Sequence, residues 1–184
     1  YLRHYRGYRP EFQNVLYDVD MCVRIGGGTN GVIDGNAFSD CTVGVYLDQS
    51  DWNTPYDDVL DPANRDSDIP HTQVGADAYS ITDNTFVGSS GFNVWLYTDS
   101  LADSTLIKDN VMNCDNCIAH VSIYDGDVLF PKIIDNEFTN GETGVYTTAA
   151  EHVKVIGNVF NNIETVAVWA VEGDVDILDN QIYN

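Results

Sequence analysis

Ile133-Ile134-Asp135-Asn136-Glu137-Phe138 is one of six copies of a single phrase. It reads apolar, any residue, Gly or Asp, Asn, any residue, large apolar. The other copies are Ile33-Asp34-Gly35-Asn36-Ala37-Phe38, Ile81-Thr82-Asp83-Asn84-Thr85-Phe86, Ile107-Lys108-Asp109-Asn110-Val111-Met112, Val155-Ile156-Gly157-Asn158-Val159-Phe160 and Ile177-Leu178-Asp179-Asn180-Gln181-Ile182. Their asparagines are 48, 26, 26, 22 and 22 residues apart. Repeats of this length mark a stacked chain, in which each unit buries its apolar face only against its neighbours. Asn, Asp and Gly accept the left-handed backbone that other residues resist. Each phrase therefore reads as two extended runs joined by a bend, with the flanking apolar residues turned inward.

A further strand follows each corner: Gly44-Val45-Tyr46-Leu47, Asn93-Val94-Trp95-Leu96, His120-Val121-Ser122-Ile123, Gly144-Val145-Tyr146-Thr147 and Ala167-Val168-Trp169-Ala170. Alternating β-branched and aromatic residues belong to strands rather than helices. Parallel stacking at the ordinary strand spacing of about 4.8 Å would place Asn36, Asn84, Asn110, Asn136, Asn158 and Asn180 in one ladder. Their amides would then bond to one another and to the bend, so that a buried polar column is satisfied.

With these copies the chain resembles the right-handed parallel β-helix repeat family, the pectin-lyase-like solenoids, over roughly residues 15–184. The resemblance implies an all-β, single-stranded parallel β-helix of about 6–7 coils of about 22 residues with one long loop insertion. It decides little about activity, because that family holds lyases, hydrolases, epimerases, tailspikes and adhesins alike.

The length predicts a single domain over 1–184, with a basic and aromatic segment at 1–14 and an acidic insertion at 49–76. Both ends fall abruptly, which reads as a segment of a larger protein or as coils stacking head to tail between copies. No apolar run approaches a membrane span. The net charge of −21, from 29 acids against 8 basic residues, argues against nucleic acid as a partner. Corner positions favour Asp on conformational grounds, so part of this acidity belongs to the scaffold. Arg3, Arg6, Arg9 and Arg24, interleaved with Tyr1, Tyr5 and Tyr8, make the amino end locally cationic.

Cys22 and Cys41 lie 19 residues apart, close to one coil, and could face each other across adjacent turns. Cys114 and Cys117 form a CxxC, the spacing of half a zinc site or of a redox pair. With no second CxxC and no βαβ pattern, structural disulfides of a secreted protein are the preferred reading, and free buried thiols the alternative.

Between Thr147 and Val155, and between Trp169 and Ile177, the chain advances 8 residues; between Leu47 and Ile81 it advances 34. Long loops inside compact folds are usually functional or disordered. In β-helix enzymes such loops wall the substrate groove, as the resemblance implies. This one carries Asp51, Asp57, Asp58 and Asp61, a candidate Ca²⁺ set of hard oxygen donors, together with Trp52, Tyr56 and His71. A solvated acidic loop is the plainer alternative. If Val faces the core in the strands above, the following Tyr46, Trp95, Tyr146 and Trp169 face outward as a row of rings. With Trp52 and His120 these are the glycan-binding candidates. Lys132 and Lys154 hold equivalent positions in successive coils, as charge balance or as a catalytic base.

These readings converge on a non-catalytic extracellular or cell-surface β-helix with structural, filament-forming and glycan-recognition roles. Its partners are a glycan or further copies of itself, with no membrane insertion, no organic cofactor and Ca²⁺ as the candidate ion. The alternative is a polysaccharide lyase, epimerase or glycoside hydrolase working beside the 49–76 loop. No catalytic signature supports it, and with 29 acids a carboxylate pair discriminates nothing.

Overall fold

The residue after each entering strand bends the chain through the left-handed region. In the computed structural model, Gly35, Asp83, Asp109, Asp135, Gly157 and Asp179 have φ of 64°, 53°, 55°, 54°, 68° and 54°. Only Gly adopts this conformation freely, and Asp or Asn at small cost, so the residue choice is conformational before it is electrostatic. The structure describes residues 15–17, 20–26, 28–48, 50–51, 73–74, 76–97, 104–124 and 130–184.

Each bend separates two short strands, and a second turn leads to a longer third strand, so three parallel sheets run along the stack. The first sheet holds Val32–Asp34, Ser80–Thr82, Leu106–Lys108, Lys132–Ile134, Val153–Ile156 and Val175–Leu178. In the second lie Val15–Tyr17, Ala37–Ser39, Thr85–Val87, Val111–Asn113, Glu137–Thr139, Val159–Asn161 and Gln181–Tyr183. The third comprises Met21–Gly26, Val43–Asp48, Phe92–Tyr97, Ala119–Tyr124, Thr143–Thr148 and Val166–Val171. Among the described residues there is no helix, and so none long and apolar enough to cross a membrane.

Five coils carry all three strands among the described residues, fewer than the six or seven read from the repeat. The physical reason is that an Asn corner certifies two strands, not three. The sixth copy supplies Val175–Leu178 and Gln181–Tyr183 without a third strand, and Val15–Tyr17 with Met21–Gly26 form a partial coil at the other end.

Register stacks like on like. Ile33, Ile81, Ile107, Ile133, Val155 and Ile177 form one column. Phe38, Phe86, Met112, Phe138, Phe160 and Ile182 form another, with the Phe38–Phe86 and Phe138–Phe160 rings stacked at 4.7 and 5.0 Å. The first five members of each column are fully buried. The long passage from Leu47 to Ile81 leaves this register intact, since Ile81 still pairs with Ile33. Its ends are pinned by short pairings of Ser50–Asp51 with Gln73–Val74 and of Gly28–Thr29 with Ala76–Asp77.

Between the first two sheets runs the asparagine column. Asn36, Asn84, Asn110, Asn136 and Asn158 each donate from Nδ2 to Oδ1 of the asparagine one coil on, at 2.9–3.0 Å. The same Oδ1 also accepts that residue's backbone N–H at 2.9–3.0 Å. In Asn84, Asn110, Asn136, Asn158 and Asn180 the other Nδ2 hydrogen reaches back to a carbonyl of the preceding coil, that of Ile33, Ile81, Ile107, Ile133 and Val155 respectively. Thus each buried amide in the middle of the column has both its oxygen and its nitrogen satisfied.

Asn110→Leu should therefore cost more than a lost hydrogen bond, because the backbone N–H and Nδ2 of Asn84 lose their shared acceptor. At about 1–3 kcal/mol for each orphaned group, the expected loss is about 2–4 kcal/mol in urea unfolding at 25 °C. Asn180→Ala, at the half-buried end of the column, should cost less. Equal, small losses for both would show that the column does not hold the stack.

Candidate functional site

Two features stand out from the scaffold, both tied to the third sheet. On its outer side Arg24, Tyr46, Trp95, Ser122, Tyr146 and Trp169 occupy one register row. The Tyr46 and Trp95 rings lie 4.8 Å apart, those of Tyr146 and Trp169 5.5 Å apart, and the Arg24 guanidinium sits 5.5 Å from the Tyr46 centroid. Tyr97 and Tyr124 stack at 5.7 Å in the neighbouring row. Among the four rings, Tyr46 is buried, Trp95 and Tyr146 are half-buried, and Trp169 is 48% exposed, while Ser122 between them is buried. The Trp95 indole N–H is buried without a hydrogen-bond partner.

The second feature lies inside. Where the chain turns into the third sheet the strand alternation fails: Ala119, His120 and Val121 are all buried, as are Asn93 and Val94. Register pairs Ala119 with Phe92 and Val121 with Val94, leaving Asn93 and His120 between them. His120, a glycan candidate read as lying beside the aromatic row, is in the wall of the coil, two residues before Ser122 of that row. There it meets Cys114 and Cys117, with one donor atom from each of the three residues within 4.8 Å of the others.

The hydrogen bonds define the state of the imidazole. His120 Nε2 lies 2.9 Å from the Asn140 carbonyl and must donate to it. Nδ1 is then the acceptor, receiving Asn93 Nδ2–H at 2.7 Å, and it lies 3.6 Å from Cys114 Sγ. Asn93 Oδ1 is buried with no partner. Burial pushes the His120 pKa down to about 4, partly opposed by hydrogen bonds to the Asn140 and Thr139 backbone. Gly141 roofs the cluster with φ of 78°; a Cβ there would fall 2.9 Å from Cys117 Sγ and 3.2 Å from both Cys114 Sγ and His120 Nε2.

The four cysteines form two disulfides, Cys22–Cys41 and Cys114–Cys117. Cys22–Cys41 ties neighbouring coils across a separation of 19 residues, a closure worth about 3 kcal/mol in the chain-entropy view. Cys114–Cys117 spans a separation of only three and constrains the unfolded chain less.

Lys132 and Lys154 are register partners, and the next residue in their column is Asp176. Of the calcium candidates, Asp51 is described only as backbone in the short pair with Gln73. Asp57, Asp58 and Asp61 lie outside the described residues, as do Trp52, Tyr56 and His71. The signal that could have pointed to the cluster is the spacing Cys114-x-x-Cys117-x-x-His120, which strand alternation disguised.

A stack of Asn-cornered coils in three parallel sheets, with a Cys–His cluster in its wall, defines the class as a parallel β-helix. The family described as "NosD: Periplasmic copper-binding protein (NosD)" matches residues 13–177, and the chain belongs to that family. No curated protein and no solved structure matches the chain.

A neutral buried imidazole makes a pH prediction for the disulfide-closed protein. Unfolded, His120 titrates near 6.5; folded, near 4. As pH falls the unfolded chain takes up the proton first, so this contribution to stability is whole above about pH 6.5. It declines by at most about 1.4 kcal/mol per pH unit down to about 4, then levels off. The gap in urea-unfolding free energy between wild type and His120→Gln should narrow from pH 7 to pH 4. Parallel curves would contradict the buried, neutral assignment.

Proposed function

We propose that this chain is a non-catalytic, extracytoplasmic β-helix that holds a soft cation, copper(I) first among them, between Cys114, Cys117 and His120. The observation that carries the reading is the convergence of two sulfurs and an imidazole nitrogen in the coil wall. The family's description supplies copper and the periplasm. Thiolate and imidazole donors suit copper(I) and zinc rather than calcium or magnesium.

The donor set fits such an ion on two further counts. Metal-bound imidazoles usually donate their second N–H to a carbonyl or carboxylate, which fixes the ring; here Nε2–H already serves Asn140 O and leaves Nδ1 for the ion. Two ligands at ordinary metal–sulfur and metal–nitrogen lengths lie about 3.5 Å apart in a tetrahedral arrangement, and Cys114 Sγ is 3.6 Å from Nδ1. The sulfurs ligate as thiolates, so the binding form has the Cys114–Cys117 bond reduced. A copper(I) ion held there would be stored out of contact with water for transfer to an acceptor.

The test is an anaerobic titration of the reduced protein with copper(I) against a chromogenic chelator. One ion per chain is expected, with a thiolate-to-copper absorption in the ultraviolet. Cys114→Ser should weaken binding at least a hundredfold. An unchanged stoichiometry and affinity in a Cys114→Ser, Cys117→Ser double variant would overturn the assignment.

A second reading, glycan recognition, is favoured by one observation: Tyr46, Trp95, Tyr146 and Trp169 share a register row that opens toward Trp169. Flat rings stack on sugar faces, and the net charge of −21 favours a neutral glycan over an anionic one. Trp169→Ala should weaken binding of a neutral oligosaccharide about tenfold in calorimetry, the weight of about 1.4 kcal/mol from one stacked ring. Equal affinity in the variant would remove the row from consideration.

A further inference from the structure

We propose that the thiol–disulfide state of Cys114 and Cys117 gates this metal site, with the Asn93–His120 hydrogen bond as the second half of the latch. The inference rests on reading the cluster as a soft-cation site, and it adds how that site opens and closes.

In the closed state every donor is engaged. The two sulfurs are bonded to each other, Nδ1 of His120 accepts the Asn93 amide at 2.7 Å, and Nε2–H is given to Asn140 O at 2.9 Å. Of these, only the last survives metal binding, and it holds the ring in place throughout. The other two must break together, one covalently and one by a turn of an amide. The Asn93 N–H that leaves Nδ1 has its next acceptor at hand, since Cys114 Sγ lies 3.9 Å from Nδ2. It would pass from the imidazole to a metal-bound sulfur, as outer-shell donors do.

The fold lets this bond open without loosening the stack. Cys114–Cys117 closes a turn within one coil, whereas Cys22–Cys41 joins neighbouring coils. The coil of Cys114 is held independently, by register pairing of Ala119–Tyr124 with strands on both sides and by Asn110 in the amide column. Gly141 seals one side of the cluster. Approach is left to the turn itself, where Asp115 and Asn116 are exposed.

The chemistry balances with a dithiol as reductant. A dithiol thiolate attacks one sulfur to form a mixed disulfide, and its second thiol closes on the first to release the protein. The protein pair gains two electrons and two protons and becomes two thiols, while the reductant becomes a cyclic disulfide. Binding one copper(I) then displaces the two thiol protons to solvent.

The test uses the wild-type chain in two preparations, disulfide-closed and anaerobically reduced, each offered copper(I) at a free concentration set by bicinchoninate. Peptide mass mapping after alkylation records the state of each cysteine pair. The expected result is one copper per chain in the reduced form and at least a hundredfold weaker uptake in the closed form, with Cys22–Cys41 unchanged. Adding a disulfide oxidant to the loaded protein should release one copper for each Cys114–Cys117 bond formed. Asn93→Ala, with its fold checked by circular dichroism, should bind copper(I) severalfold tighter when reduced, because nothing competes for Nδ1. Copper uptake by the reduced form that a disulfide oxidant does not release would overturn the gate and leave the metal reading standing, whereas equal uptake by closed and reduced wild type would overturn both, since a disulfide offers no thiolate. Uptake by neither form, with the thiols shown free by alkylation, would overturn the metal reading and the gate with it. An Asn93→Ala affinity equal to that of wild type would remove Asn93 from the latch. The release experiment needs no variant and decides the gate even if that protein fails to fold.

Discussion

The structure depends on the asparagine column. A chain that turns several times around a narrow core must bend its backbone close to that core, and each bend brings polar groups where water does not reach. Here the amide one coil on answers them, its oxygen taking two donors and its nitrogen serving two acceptors. Because each asparagine needs one above and one below, the column fixes the register of the flanking sheets. The isoleucine and phenylalanine columns then follow as consequences. The 49–76 insertion can interrupt the chain without disturbing this order, since the demand for a partner acts in space and not along the sequence.

Charge is organised by the same geometry. Asp83, Asp109 and Asp135 are at the corners because the backbone needs a residue that tolerates positive φ, and stacking then lines up their carboxylates. Lys108 answers them: its hydrogen bond with Asp109, then that group's charge, hold its pKa above the usual lysine value, with Asp135 and Asp83 adding to the effect. Acidity in such a chain is a poor guide to ion binding on its own. The soft donor cluster is a better one, because no corner rule calls for two sulfurs and an imidazole in the wall.

The turn into the third sheet gives this protein its individuality. At equivalent positions neighbouring coils place Gly44, Asn93, His120, Gly144 and Ala167, all between the same pair of core columns. Glycine is required where a Phe ring packs beneath, as at Gly44 over Phe86 and Gly144 over Phe160. At Asn93 and His120 a polar side chain takes the glycine's place and must find partners, and the two find each other. The Cys114–Cys117 turn closes over them, and Gly141 of the next coil covers the result.

The sequence alone determined the repeat, the corner residues, the parallel stacking and the alignment of Tyr46, Trp95, Tyr146 and Trp169, because each follows from local backbone preference repeated at a fixed interval. It also made a Cys22–Cys41 pairing readable, since their separation approximates one coil. It read about six to seven coils where five carry all three strands among the described residues, because the phrase it counted spans only two of the three strands. The burial of His120 was not legible for a related reason: alternation holds within a strand and fails at the bend that leads into it. Only the tertiary structure brought His120, Asn93, Cys114, Cys117 and Gly141 together. They come from three successive coils, and their meeting is set by the stacking of the whole solenoid, which no short stretch of sequence encodes.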